Sequence, residues 1–480
     1  MARLPSRRLS VGRRVLPAAV CAAVTGLGLL VPVAPVLAGT EAGPAPGAAG
    51  AGDPYFPDQG NGGYDVASYR LAIDYDPDTH RLDGSARIAA TTTQDLSAFD
   101  LDLRPWMRTR SVLVDGHPAS FTRPTGGQEL VITPSRPLPD GHRFDVTVRY
   151  DGTPQPVTDP DGSLEGWVLT SDGAFVVGEP QGAPSWFPCN DTPTDKATVD
   201  VSITVPAGLT AVSNGQLVGV QSWAGRRTWR WHLGRPVPTY LVTATLGRFR
   251  VTTGRTPDGV PYLNAIDPSQ AADAEPILAR LPAILDFFIR TYGRYPFGSA
   301  GAIVDDAPDV GYALETATRP VFDHAPDEDT LAHELAHQWY GDDVTLGRWR
   351  DIWLNEGFAE FSAWLWAEHS GGASAATRLR ELLAEPADSE DFDPPPGDPG
   401  AADMLFSGSV NERGAGALQA LRETLGDRVF FRVMRGWLRA NAYGNATVPD
   451  FIGYAQDVSH RDLRHFFDVW LYQEGKPTTW

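Results

Sequence analysis

Cysteine is almost missing from this chain: two residues in 480. That excludes a fold stapled by disulfides. Positive charge is also scarce. Lys and Arg total 40 against 60 Asp and Glu, a formal charge of −20. A chain this acidic is a poor partner for phosphate backbones, so no nucleic acid is expected to bind it. Long apolar runs are absent beyond the first forty residues, so no transmembrane segment is expected in the mature form. Hydrophobic residues make up 42% and charged residues 21%, which excludes wholesale disorder. At roughly 100–200 residues per domain, two to four domains fit, with ample material for true cores.

The start of the chain reads as a targeting segment. Arg3, Arg7, Arg8, Arg13 and Arg14 stand before any acid, and Val15 to Leu37 is apolar or small. Val36-Leu37-Ala38 before Gly39 has the small residues of a signal-peptidase site. Pro17, Pro32 and Pro35 make the stretch a poor membrane-spanning helix. Residues 1–38 are therefore expected to be a signal peptide and the mature protein to be secreted, with retention at the cell envelope left open. Its removal leaves Cys189 alone, so no intramolecular disulfide can form. Residues 39–62 are rich in Gly, Ala and Pro and read as a flexible linker.

Two halves follow. From 63 to 255 apolar residues alternate, as in Tyr69, Leu71, Ile73, Tyr75 and again in Val199, Val201, Ile203, Val205. Turn pairs such as Asp83-Gly84, Asp140-Gly141 and Asp161-Gly162 separate such runs. The pattern predicts a many-stranded, largely antiparallel β domain. From 256 to 480 the period becomes helical, as in Leu281, Ile284, Leu285 and Phe288, with a short strand near Ala302–Val304. The acidic, proline-rich stretch 384–400 can only be a loop.

The chemistry centres on His333-Glu334-Leu335-Ala336-His337. Histidines at i and i+4 share one helical face, so both imidazoles can reach one metal. Glu334 can then face a metal-activated water. Glu356 follows His337 by nineteen residues. Two imidazoles and one carboxylate leave a fourth position open, the arrangement of catalytic zinc. Bound Zn2+, one per chain, is thus the expected cofactor.

These motifs, with their neighbours, resemble the aminopeptidase N family of gluzincin zinc metallopeptidases. The likeness is carried by His333 to Asp342 (HELAHQWYGD), by Trp349 to Phe358 (WRDIWLNEGF), by Tyr312-Ala-Leu-Glu-Thr316 and by Trp186-Phe-Pro-Cys-Asn-Asp191. It implies an α+β multidomain fold: an N-terminal antiparallel β-saddle domain, then a mainly helical thermolysin-like catalytic domain. By this likeness the large C-terminal helical domain of longer relatives is expected to be missing. It also implies aminopeptidase activity on peptide substrates with a free N-terminus. Zinc would lower the pKa of a water and polarise the scissile carbonyl, with Glu334 as general base. Glu315 would pair with the substrate's α-ammonium, and Glu179 aligns with a family residue near the same subsite.

Two positions depart from the family pattern. Asn411, in Val410-Asn-Glu-Arg-Gly-Ala415, stands where relatives carry a tyrosine that donates to the oxyanion. Losing such a donor costs roughly 10²–10³ in rate, so a weakened enzyme is expected. Ala363 stands where relatives carry an acid that orients a zinc-bound histidine. Glu360 shares its helical face and is the candidate replacement; an ordinary surface acid is the plain alternative. Two other classes of function stay open: an impaired, zinc-binding relative that serves as a peptide-binding module, and a zinc hydrolase of another type.

Overall fold

The structure is a computed structural model and describes residues 43–480, so the expected signal peptide lies outside the described residues. The alternating pattern of the first half folds into an eight-stranded sheet. Its strands run in the order 216–223, 226–237, 197–206, 64–76, 81–92, 143–152, 107–114 and 117–118. All neighbours are antiparallel except 197–206 and 64–76, which lie parallel. Buried and exposed residues alternate along Tyr64–Asp76 and Ala197–Pro206, as a sheet with one face on the core requires. A four-stranded and a five-stranded sheet complete this half.

The second half is helical, with one mixed sheet of five strands in the order 250–255, 261–266, 300–304, 321–322 and 313–314. Only the 300–304 strand was legible as such from the sequence. The sheet opens with Arg250–Arg255, so the division expected after residue 255 cuts a hairpin. The short strands at 313–314 and 321–322 bracket the Glu315 segment and hold it against the central strand. Among the described residues no helix is long and apolar enough to cross a membrane.

The expected flexible linker is corrected for residues 43–62, which form a packed strap. Ala45–Pro46 pairs with the strand Leu96–Asp102. Phe56 is buried with its ring edge-on to Trp349, centroids 5.8 Å apart. Asp53 Oδ1 accepts from the backbone of Tyr55 and Phe56, and its Oδ2 accepts from Trp349 N at 2.8 Å. Trp349 opens the 3₁₀ turn that leads into the helix Trp353–Ser370, and its own N-cap residue, Arg348, supplies no side-chain acceptor. Composition alone misread this strap, because small residues that suit a flexible chain also suit a close-lying one. Asn61 Nδ2 and Gln128 Nε2 donate to the buried Asp102 carboxylate, which fixes the strap's far end.

Other buried polar groups tie distant segments together. Lys196 Nζ donates to the carbonyls of Asp342, Asp343 and Gly444 and to Thr345 Oγ1. Arg413 donates to the carbonyls of Phe392, Val469, Trp470 and Gln473, binding the proline-rich loop and the C-terminal segment to one helix. Cys189 is a free, buried thiol, and burial pushes its pKa well up, as suits an inert packing residue.

Asp53→Ala removes the acceptor of three backbone N–H groups. It is expected to lower stability by about 1–2 kcal/mol in urea unfolding. A flexible tether would show no change.

Candidate metal centre and active site

Two helices build the centre. The first is Glu328–Ala336. Asp327 caps it by accepting from Thr330 N at 2.7 Å, and Glu328 and Asp329 favour its positive end. It carries His333 and Glu334 and ends at His337, so both imidazoles fall on one face. The second, Trp353–Ser370, carries Glu356 and Glu360 one turn apart.

Their side chains converge. His333 Nε2 lies 3.0 Å from His337 Nε2 and 3.3 Å from Glu356 Oε2, and Glu356 Oε1 lies 3.7 Å from His337 Nε2. Tetrahedral zinc with ligand bonds near 2.0–2.1 Å sets its ligand atoms about 3.3 Å apart, so this donor triangle fits the ion. The outer nitrogens fix the tautomers. His337 Nδ1 lies 3.0 Å from Tyr340 O and His333 Nδ1 lies 3.1 Å from Glu360 Oε2. Each contact makes the outer nitrogen the donor and leaves Nε2 for a metal. Trp364 Nε1 donates to Glu360 Oε1 at 2.7 Å and so holds the carboxylate in place. Trp364 is buried and stands one helical turn after Glu360, and that i,i+4 spacing is the only local sign of the contact.

Electrostatics agree with this division of labour. Burial lowers His337 to about 4, so its ring is neutral. Burial opposes a proton on His333 too, but its hydrogen bonds to Glu356 and Glu360 outweigh it and raise the pKa. A metal at Nε2 would displace that proton. Burial, together with the Glu356 charge, raises Glu334 to about 8.

A cavity of about 410 Å³ opens over the donor triangle. Glu179, Glu315 and Asn411, the other residues singled out from sequence, all line it. Glu315 is 2% exposed and Glu179 5%, so neither is a solvated loop acid. Burial and neighbouring carboxylates push both pKa values well up. One oxygen on each of Glu179, Glu315 and Glu334 is buried without a hydrogen-bond partner. Such orphaned acceptors are costly and point to groups the cavity is built to receive. Glu315 is held by its neighbours: Gln338 Nε2 donates to its carbonyl while Gln338 Oε1 accepts from Thr318 N. Glu315, Glu334 and His337 also lie close enough to suggest a second metal group. His337 Nδ1 faces Tyr340 O, however, and its 3.9 Å approach to Glu315 is not a hydrogen bond.

Asn411 reaches the cavity because two helices cross closely. A Cβ on Gly357 would lie 2.4 Å from Trp353 Cδ1, and one on Gly414 would lie 2.7 Å from the same atom. With both positions glycine, Trp353 Nε1 donates to Gly414 O at 3.1 Å, and the helix Gly408–Leu425 packs against the Glu356 helix. Among the described residues Tyr312 is the one tyrosine lining the cavity, and its hydroxyl donates away to Leu164 O at 3.0 Å. No lining tyrosine therefore takes over the position that Asn411 occupies. Asp161, Ser163, Thr330 and Phe406 also line the cavity and were missed in sequence, where nothing local marks them.

Comparison with known proteins agrees with the geometry. A model described as the peptidase family M1 domain matches residues 313–470, and one for the peptidase M1 N-terminal domain matches 66–241. The chain is 28% identical over 355 residues to mouse glutamyl aminopeptidase, covering 66% of this chain and 37% of that protein. It is 26% identical over 334 residues to rice aminopeptidase M1-D, covering 64% and 38%. The chain thus spans little more than a third of the length of these relatives. A mutant M1 zinc metallopeptidase from Deinococcus radiodurans, solved bound to a Tyr-Ser-Ala substrate, superposes with a TM-score of 0.83 at 27% identity. The match covers 89% of this chain and 99% of that one.

Glu360→Gln keeps the side-chain volume but removes the charge facing His333. It is expected to weaken zinc binding roughly ten- to hundredfold in chelator competition. Unchanged affinity would reduce Glu360 to a packing residue.

Proposed function

Because this chain belongs to the aminopeptidase N family of M1 metallopeptidases, we propose that it is a zinc aminopeptidase that removes N-terminal residues from peptides. One observation carries the reading. A zinc-fitting donor triangle shares its cavity with orphaned carboxylate oxygens of Glu334, Glu315 and Glu179. His333, His337 and Glu356 would hold one Zn2+ per chain. Bound there, the ion supplies Lewis acidity for the water and the scissile carbonyl.

The chain's own residues do the rest. Glu334, beside the metal position, takes the proton of the attacking water and delivers it to the leaving amine. Burial and the Glu356 charge raise its pKa, and positive charge alongside would lower it and ready it as a base. Glu315 and Glu179 receive the substrate's α-ammonium. Two buried carboxylates repel each other unless a cation lies between them, so a free N-terminus is favoured and an internal peptide is not. Asn411 presents an amide toward the cavity where a tyrosine hydroxyl would reach further. The oxyanion therefore receives weaker support, and turnover is slowed rather than abolished. Export by the Arg-rich, apolar start of the chain belongs to the same proposal, with the enzyme either secreted or retained at the cell envelope.

Zinc-loaded residues 39–480 should release chromophore from Ala- and Leu-amides and leave their N-acetylated forms intact. Glu334→Gln should abolish that release while zinc stays bound. Asn411→Tyr should raise kcat by about ten- to hundredfold. Absence of turnover in both wild type and Asn411→Tyr, with zinc bound, would favour the peptide-binding alternative. Cleavage of the acetylated amides would favour a hydrolase of another type.

A further inference from the structure

Resting on the peptidase reading, we propose that Asp161 makes the cavity selective for peptides with a cationic side chain in the first or second residue. Among the described residues five carboxylates line the cavity, Asp161, Glu179, Glu315, Glu334 and Glu356, against two imidazoles and no lysine or arginine. A divalent ion balances Glu356 and Glu334. The substrate's ammonium balances one of the pair Glu179 and Glu315. Burial disfavours a charge on the other member of that pair, and Asp161 is the acid among the five that is exposed.

Its placement is built. Asp161 lies in a turn closed by Asp159 N donating to Ser163 O at 2.9 Å and Gly162 N donating to Asp159 O at 2.9 Å. Ser163 N and Oγ both donate to Asp161 Oδ1, at 2.8 and 2.7 Å. That orients the carboxylate and leaves Oδ2 without a hydrogen-bond partner among the described residues. The turn comes from the β half, yet Tyr312 Oη, on the segment leading to Glu315, donates to Leu164 O at 3.0 Å. Asp161 is therefore tied beside the wall that carries the ammonium-binding acid. A long cationic side chain on a peptide anchored at Glu315 and Glu179 meets an oriented carboxylate there. A leucine meets no partner, and a glutamate meets a like charge. Exposure keeps the preference modest and sensitive to salt.

The test uses zinc-loaded protein and the tripeptides X-Ala-Ala and Ala-X-Ala, with X as Arg, Leu or Glu. At low salt, kcat/KM is expected to favour Arg over Leu by roughly fivefold at one of the two positions, with Glu last. Asp161→Asn should bring the Arg-to-Leu ratio to about one, and 0.5 M salt should do the same to the wild type. Calorimetric binding of the same peptides to zinc-loaded Glu334→Gln, with and without Asp161→Asn, should repeat the ordering without turnover. An Arg-to-Leu ratio that Asp161→Asn leaves unchanged, or no Arg preference at either position, overturns the role of Asp161. If Leu-Ala-Ala is cleaved in that case, the aminopeptidase reading stands. If no peptide is cleaved, that reading falls, and the binding ratios still decide the role of Asp161.

Discussion

Uncompensated negative charge in a buried cavity is the constraint on which the rest of this structure turns. Glu179, Glu315, Glu334 and Glu356 are all at most 7% exposed, and they share one space with two imidazoles. A protein interior does not hold such a group ionised without cations close by. The donor triangle at His333, His337 and Glu356 and the orphaned oxygens of Glu315 and Glu179 mark two places where cations resolve the imbalance. In the proposed reading a metal answers the first and the substrate's own N-terminus the second. Binding and catalysis therefore share one electrostatic cause.

Holding four acids so close demands a stiff frame, and the frame is made of contacts between distant segments. Gln338, one residue after the second histidine, fixes both ends of the turn from Glu315 to Thr318. Lys196, from the β half, gathers four oxygens around the loop that follows the zinc helix. Facing glycines at 357 and 414 let two helices approach until Asn411 enters the cavity. The strap at 43–62 supplies, through Asp53, an acceptor that the turn before the Glu356 helix lacks. In each case a polar group satisfies a backbone that would otherwise be stranded away from water.

Much of this was legible beforehand. Alternation over 63–255 and the helical period afterward rest on local geometry, and the eight-stranded sheet and the long helices follow those periods, while most of the five-stranded sheet of the second half does not. The residues singled out by motif all line the cavity or contact one that does. Less was legible where composition stood in for contacts. Residues 43–62 look flexible by their glycine and alanine content, yet they pack, because what orders them is Trp349 and Asp102, far along the chain. The hairpin at 250–266 joins the second sheet although alternation alone assigned its first strand to the β half.

By itself the sequence determined the helical histidine pair, the adjacent Glu334 and the proposed third ligand, Glu356, nineteen residues on. Helix hydrogen bonds repeat every 3.6 residues whatever surrounds them, so an i,i+4 pair shares a face by necessity. Tertiary structure alone decided that Glu360 faces His333, with Trp364 behind it, rather than solvent. It also decided that Glu179 and Asp161, from the β half, reach a cavity built on helices more than 150 residues later. Convergence of that kind depends on how separate elements pack, and packing is set by side-chain volume and buried polar contacts that no local spacing encodes.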